Sequence, residues 1–83
     1  MTYKVIFTNR ALKDLKSISD ENKKKIIPKL KEFANDPLLY SRKLTNPKIG
    51  NYRFRVGNFR IVFDIEDGNI IILRIGDRKD IYK

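Results

Sequence analysis

Arginines alternate with apolar residues in the segment NYRFRVGNFRIVF, Asn51 to Phe63. Arg53 and Arg55 lie on one parity of a first run, and Arg60 lies in a second run. An alternation of period two predicts strands, and the Gly57-Asn58 pair between the runs predicts a two-residue hairpin turn. Guanidinium groups bind phosphate through paired N–H donors. The segment therefore predicts a sheet face that binds a phosphate-bearing ligand.

The length of the turn sets how these two strands pair. Two turn residues place Arg55 directly opposite Arg60 with Cβ atoms about 5 Å apart, an arrangement that normally destabilises a sheet. A single arginine of this kind is readily explained as a solvated, outward-facing residue, with Asp64 and Glu66 as neighbours. Three exposed arginines on one patch, Arg53 included, favour phosphate binding instead. The opposite face carries the apolar residues that the helices must cover: Tyr52, Phe54, Val56, Phe59, Ile61 and Phe63.

A strand and two helices are predicted before this hairpin. Thr2 to Phe7 alternates as a short strand, and Thr8 or Asn9 can cap a first helix. The inward residues of the first helix are Ala11, Leu12, Leu15 and Ile18. Ser19-Asp20 caps a second helix, whose inward residues are Ile26, Ile27, Leu30, Phe33 and Ala34. Pro28 removes a hydrogen bond from the second helix, but the apolar pattern continues through it, which predicts one kinked helix.

The rest of the chain predicts a loop and a third strand next to the hairpin. Asn35-Asp36-Pro37 ends the second helix, and a connection of about fifteen residues without a period follows, which is a candidate functional loop. Asp67-Gly68 predicts a turn into Ile70 to Ile75, which is apolar on both parities and is therefore predicted at the centre of the sheet. The predicted fold is α+β, with an N-terminal strand, an α-hairpin and a three-stranded antiparallel meander, in which the helices pack on one face of a twisted sheet.

Composition limits the classes of function. The 83 residues fit a single domain, and 19 basic against 10 acidic residues give a formal charge of +9. Such a charge favours polyanions, namely RNA, DNA, an anionic lipid surface or an acidic protein, although a Lys-rich surface kept for solubility has the same composition. There is no Cys, the start MTYKVIF is not a signal peptide, and the longest apolar run, Ile70 to Leu73, is too short to span a membrane. A soluble chain in the cytoplasm is therefore expected.

Three motifs carry a resemblance to a known family. A basic and apolar alternation follows Tyr52, the pattern G-x-[YF]-R-[ILV]-[VI]-[YF] starts at Gly57, and G-x-R-x-x-[IV]-Y starts at Gly76. In this order and spacing they resemble the C-terminal half of RelE-type toxins from bacterial and archaeal toxin–antitoxin pairs. The run NRALKDLKSI from Asn9 and the pair Lys43-Leu44 also match, so the resemblance covers nearly the whole chain.

The resemblance implies a microbial RNase-like fold that enters the ribosomal A site and cuts messenger RNA there. In such toxins the 2′-OH of one nucleotide attacks the adjacent phosphate, without a metal or other cofactor, and leaves a 2′,3′-cyclic phosphate and a 5′-OH. The implied partner is a cognate acidic antitoxin in a toxin–antitoxin hetero-oligomer, not a membrane. The implied catalytic residues are Arg53, Arg55, Arg60, Arg78 and Tyr82, and the expected RNA-binding residues are Lys43, Arg74 and Lys79.

The available side chains limit the chemistry of such a cut. RNA cleavage needs a base for the 2′-OH, cations for the phosphorane and an acid for the 5′-oxygen. The chain has no His, and its densest carboxylates, Asp64, Glu66 and Asp67, fall at a predicted turn, where turn chemistry is favoured over metal binding. Phosphate-stabilising arginines remain, together with Tyr82, which could stack on a base or pack at the edge of the sheet.

Two departures from the family pattern keep other functions open. Many relatives have Lys where this chain has Arg53 or Arg55, and many have His where it has Asp77. The superfamily also includes ParE-type toxins, which inhibit DNA gyrase by binding and are not nucleases. A non-catalytic basic binding module is the third interpretation.

Overall fold

The computed structural model describes residues 2–44 and 50–77. Its strands are β1 (Lys4–Phe7), β2 (Arg42–Lys43), β3 (Tyr52–Val56), β4 (Phe59–Glu66) and β5 (Asn69–Asp77), and its helices are α1 (Asn9–Lys16), α2 (Asp20–Phe33) and α3 (Pro37–Tyr40). The strands form one sheet in the order β1-β5-β4-β3-β2. β1 runs parallel to β5, and the other neighbouring strands are antiparallel. The predicted α+β fold, with the meander formed by β3, β4 and β5, is confirmed.

Side-chain caps set where α1 and α2 begin. The Thr8 hydroxyl accepts a hydrogen bond from the Ala11 N–H at 3.2 Å, and the Ser19 hydroxyl accepts one from the Asn22 N–H at 3.3 Å. Each cap satisfies an N–H group that has no partner within its own helix. Both predicted caps are confirmed. Pro28 lies inside α2, which continues through it as one helix.

Helix α1 presents fewer residues to the sheet than its sequence predicts. Ala11 is fully buried, and Leu15 and Ile18 pack in or against the core. Leu12, however, is 42% exposed, so its predicted inward position is wrong. Because α1 has only 8 residues and lies along β5, a narrow stripe of the helix meets the sheet, and Leu12 falls outside that stripe.

Residues with positive φ form both turns of the meander. Gly57 has a φ of 58° between β3 and β4, and Asp67 and Gly68 have φ values of 50° and 76° between β4 and β5. Such backbones match the right-handed twist of the flanking strands. They produce the predicted register, in which Arg55 lies opposite Arg60. β5 lies between β1 and β4, so its predicted central position is also confirmed.

The connection after α2 contains two elements that its sequence does not predict. Pro37 occupies the first turn of α3, where an N–H group would have no helical partner in any case. β2 follows and pairs with β3 as a fifth strand. The Leu44 N–H donates a hydrogen bond to the Asn51 carbonyl at 2.9 Å, which closes the connection. The prediction of a stretch without regular structure is therefore wrong in its first half, because a two-residue strand is too short to show a period.

The core lies between the helices and one face of the sheet. Its buried residues include Ala11, Ile26, Leu30 and Phe33 from the helices and Phe54, Ile61, Phe63, Ile70, Ile72 and Ile75 from the strands. The rings of Phe33, Phe54 and Phe63 form a continuous cluster, with centroid distances of 4.6 and 4.1 Å. The other face of β3 and β4 therefore points away from the helices. No helix in the described part of the chain is long and apolar enough to cross a membrane.

Candidate functional site

On β2, β3 and β4, four arginines lie on the sheet face opposite the helices. On β3, Arg53 and Arg55 alternate with the buried core residue Phe54, so they point to the other face. Arg60 is paired with Arg55, and Arg42 is paired with Arg53. Directly opposed residues in antiparallel strands share a face. We call the set Arg42, Arg53, Arg55 and Arg60 the arginine face.

Arg60 is buried within this face. It is 6% exposed, so the prediction that its side chain is exposed is wrong. Its Nη1 donates hydrogen bonds to the carbonyl oxygens of Phe59 at 3.3 Å and Gly57 at 3.5 Å. The alternation along β4 correctly indicates which face Arg60 points to, but the guanidinium folds back over the turn. These hydrogen bonds hold the positive charge of Arg60 in one position.

The neighbouring arginines are more accessible than Arg60. Arg42 and Arg55 are exposed, and Arg53 is half-buried. Within residues 2–44 and 50–77, neither Arg42 nor Arg55 forms a salt bridge or a hydrogen bond through its side chain. Two guanidinium groups on this face are therefore available to a ligand.

Lys43 lies on the opposite side of the sheet from the arginine face. It is paired with Tyr52, whose ring stacks on the core residue Phe63 at a centroid distance of 5.5 Å. The structure therefore does not bring Lys43, an expected RNA-binding residue, together with the arginines. Sequence reasoning misses Arg42, the residue before it. No hydrophobic alternation marks β2, so only its pairing with β3 reveals which of the two cations shares the face.

Arg74, another expected RNA-binding residue, lies beside α1. Its Nε donates a hydrogen bond to Asp14 Oδ2 at 2.8 Å, and the same oxygen accepts one from the Ile75 N–H at 3.0 Å. The Asp14 side chain is 14% exposed, and Arg10 Nε lies 3.7 Å from its other oxygen. Because β1 ends opposite Ile72, Asp14 takes the place of a strand partner at the end of β5. The Nε of Arg74 thus helps to hold α1 on the sheet.

The end of the connection approaches the arginine side of the sheet at Gly50. A Cβ added there would lie 2.6 Å from Val62 Cγ1 and 2.7 Å from Leu73 Cδ1, so a larger residue fits only if its neighbours shift. The next residue, Asn51, donates its N–H to Asp64 Oδ1 at 2.7 Å. These contacts fix the backbone immediately before β3, the strand that carries two of the four arginines.

Three expected site residues, Arg78, Lys79 and Tyr82, lie outside the described residues. The last residue of β5, Asp77, is paired with Phe59 at the start of β4. β5 therefore ends beside the turn over which the Arg60 guanidinium folds.

The fold matches that of chains in solved toxin–antitoxin complexes. The toxin–antitoxin complex RelBE2 from Mycobacterium tuberculosis contains a chain that matches with a TM-score of 0.84 and 25% identity, over 94% of this chain and 100% of that chain. The RelB-RelE antitoxin-toxin complex from Methanococcus jannaschii gives a TM-score of 0.73 and 31% identity, over 93% of this chain and 94% of that chain. The architecture places this protein in the class of RelE-fold toxins.

Sequence comparisons narrow this class to a family. A family model described as the ParE toxin of the type II toxin–antitoxin system parDE matches residues 5–82. Toxin RelE3 from Methanocaldococcus jannaschii is 37% identical over 83 residues, which cover 95% of this chain and 94% of that protein. Toxin RelG from Mycobacterium tuberculosis is 31% identical over 90 residues, covering 100% of this chain and 99% of that protein. The chain therefore belongs to the RelE/ParE family of toxins from type II toxin–antitoxin systems, as its motifs indicated.

Proposed function

We propose that this toxin is a ribosome-dependent endoribonuclease that cuts messenger RNA in the ribosomal A site. The observation that carries the proposal is the arginine face, in which a buried Arg60 lies directly opposite an exposed Arg55. Two guanidinium groups at opposed positions repel each other but suit a phosphate, which accepts paired N–H donors. The face therefore fits the backbone of an RNA strand.

In the proposed reaction the 2′-oxygen forms a bond to phosphorus as the bond from phosphorus to the 5′-oxygen breaks. The 2′-OH proton passes to water and the 5′-oxygen takes up a proton from water, so the products are a 2′,3′-cyclic phosphate and a 5′-OH. A guanidinium keeps its proton near neutral pH. Arg53 and Arg55, at positions where many relatives have Lys, therefore act as electrostatic groups and not as bases.

Arg60 supplies the preorganised part of this electrostatic stabilisation. The phosphorane carries more negative charge than the substrate phosphate, so a cation held in place stabilises the transition state more than the ground state. Burial and two hydrogen bonds to backbone carbonyls hold Arg60. We assign Arg78 to the same phosphate from another side and Tyr82 to stacking on a base, following the family motif.

A cognate acidic antitoxin is the proposed partner of this toxin. Solved structures that match its fold include complexes of a RelE-type toxin with an antitoxin. A formal charge of +9 on 83 residues creates a positive field that attracts an acidic protein. The antitoxin is proposed to bind the toxin and hold it inactive.

Inhibition of DNA gyrase is the second candidate function. It is favoured by the description of the matched family as a ParE toxin. A gyrase inhibitor acts by binding, so it needs neither a buried cation at a scissile phosphate nor an accessible arginine opposite it. The two candidates therefore differ in how strongly they depend on the arginine face.

Cleavage on programmed ribosomes tests the proposal. The purified toxin should cut messenger RNA within the A-site codon, leave a 2′,3′-cyclic phosphate and have no effect on DNA supercoiling by gyrase. Arg55→Ala should slow single-turnover cleavage by about 10²–10³-fold. Lys24→Ala, which removes one charge from the exposed face of α2, should leave the rate nearly unchanged. Intact messenger RNA together with inhibited supercoiling would favour the gyrase candidate.

A further inference from the structure

Arg42 extends the arginine face to the edge of the sheet. It lies on β2 directly opposite Arg53, while the next row along β3 is formed by Arg55 opposite Arg60. Rows that are two residues apart on a strand are separated by about 6.6 Å. Across β2, β3 and β4 the face thus holds two neighbouring rows of two arginines each.

The exposed position of Arg42 favours the binding of a ligand. Its side chain is exposed, and within the described part of the chain it makes no salt bridge or hydrogen bond. Directly opposed like charges lower the stability of a sheet. Charged residues on an edge strand do prevent association between sheet edges, but Lys43 serves that purpose on the same strand. The exposed guanidinium of Arg42, beside that of Arg53, is left to be explained by an anion that Arg42 can approach.

We propose that Arg42 forms a second phosphate subsite at the edge of the sheet, which binds a phosphate flanking the one held at Arg53, Arg55 and Arg60. This inference rests on the proposed function and deepens it, because it states how the RNA strand continues. An extended strand whose scissile phosphate lies at the row of Arg55 and Arg60 passes the row of Arg42 and Arg53 before it leaves the sheet at β2.

The chemistry of this subsite is binding and not catalysis. A phosphate that does not react has the same charge in the substrate and in the transition state, so contacts with it stabilise both equally. Loss of such contacts raises KM and leaves kcat unchanged. Arg42 is therefore expected to differ from Arg60 in the kinetic constant that it controls.

A binding measurement that does not depend on catalysis tests the subsite. The probe is a single-stranded RNA oligonucleotide with 2′-O-methyl riboses, titrated with the full-length toxin over a range of salt concentrations and followed by fluorescence anisotropy. Each phosphate contact on a single strand contributes about 0.7 to the slope of log K against log salt. Arg42→Ala should lower that slope by about 0.7 and weaken binding by about tenfold at low salt.

Two further variants separate a subsite from a loss of charge alone. Lys24→Ala removes one exposed charge from α2 and should keep the wild-type slope. Arg42→Lys keeps the charge but loses the planar fork, so it should keep the slope and lose part of the affinity. Arg42→Ala should not lower Tm, because it removes a like-charge contact and no buried group.

The outcomes distinguish this subsite from the proposed function itself. An unchanged salt slope in Arg42→Ala overturns the subsite, even if the wild-type toxin cuts messenger RNA on ribosomes. A lowered slope supports the subsite even if the wild-type toxin fails to cut, and the endoribonuclease proposal then falls alone. Normal RNA binding combined with weaker binding of an acidic antitoxin assigns Arg42 to the protein partner and also overturns the subsite.

Discussion

Arg60 and Arg55 face each other across β4 and β3, and under the proposed function they meet a phosphate in different ways. Arg60 is held by burial and by hydrogen bonds to two backbone carbonyls, so it needs little rearrangement when charge develops nearby. Arg55 is exposed, so a ligand must order its side chain, at a cost in conformational entropy. The opposed pair therefore combines one fixed cation with one whose side chain is free to adjust to the proposed substrate.

Replacement of Arg60 is expected to affect both catalysis and stability. Arg60→Ala removes a preorganised cation and should slow single-turnover cleavage by about 10²–10³-fold. It also removes a buried stem and its hydrogen bonds, so the free energy of unfolding should fall by about 1–2 kcal/mol. Arg55→Ala is the contrasting variant, since its exposed side chain should leave that free energy unchanged or raise it. Equal denaturant midpoints for the two variants would contradict the fixed role of Arg60.

Strand alternation predicts which face of the sheet a side chain lies on better than it predicts how deeply that side chain is buried. The Gly57-Asn58 turn places Arg60 opposite Arg55, and the structure confirms this. The burial of Arg60 depends on contacts between its guanidinium and turn carbonyls, which no periodicity encodes. Arg42 escapes sequence reasoning for a related reason, since its face is defined only by the strand with which β2 pairs.

At the scale of elements, Asp14 joins α1 to the end of β5, where β1 no longer pairs with it. Asp14→Ala leaves the Ile75 N–H and the Arg74 Nε without their shared acceptor, which lies at 3.0 and 2.8 Å. A lost partner for partly buried donors should lower the free energy of unfolding by about 1–3 kcal/mol. The amide hydrogen of Ile75 should also exchange faster with solvent.

An exposed ion pair on α2 gives the control for Asp14. Glu32 lies 3.2 Å from Lys29, and both side chains are about half exposed. Glu32→Ala should change the free energy of unfolding by less than about 0.5 kcal/mol. If Asp14→Ala and Glu32→Ala prove equally mild, Asp14 is only another surface charge.

Gly50 should be intolerant of any side chain, because it fixes the entry of the chain into β3. In Gly50→Ala the new Cβ would meet Val62 Cγ1 at 2.6 Å and Leu73 Cδ1 at 2.7 Å, so these side chains or the backbone at Gly50 must move. Overpacking of this kind costs about 1–3 kcal/mol and shifts the strand that carries Arg53 and Arg55. Both Tm and single-turnover cleavage should therefore fall, and a wild-type Tm would show that the connection is not held against the sheet.

Elements with a strong local signal are the ones that the sequence predicts. Asp67-Gly68 predicts its turn because few residue pairs adopt positive φ easily. Apolar residues on both parities predict the central place of β5 between two neighbours. The short elements α3 and β2 are stabilised by tertiary contacts, so local patterns do not reveal them. The Tyr40 ring of α3 packs against Phe33, and β2 pairs with β3.

At the scale of the whole molecule, positive charge is spread beyond the arginine face. The helix side of the sheet carries exposed lysines on α2, including Lys24 and Lys31. The arginine face lies on the other side, so much of the surface contributes to a net charge of +9. Such a field attracts any polyanion before contact and does not by itself select one. Selection must come from the spacing of guanidinium groups on the sheet.

Two measurements separate long-range attraction from selection of the ligand. Attraction is measured by the association rate with an acidic antitoxin, and selection is measured by cleavage on ribosomes. Steering by the whole field is screened over about 8–10 Å at physiological ionic strength, so the association rate should fall steeply as salt rises. The double variant Lys24→Glu with Lys31→Glu reverses two charges far from the arginine face and should slow association while leaving cleavage on ribosomes nearly unchanged. Arg55→Ala should leave the association rate nearly unchanged and slow cleavage. It removes only one charge from the field, but it removes a guanidinium that is proposed to bind the phosphate. Stopped-flow association measured beside single-turnover cleavage gives both readouts, and an association rate that is constant with salt would rule out the electrostatic part of this account.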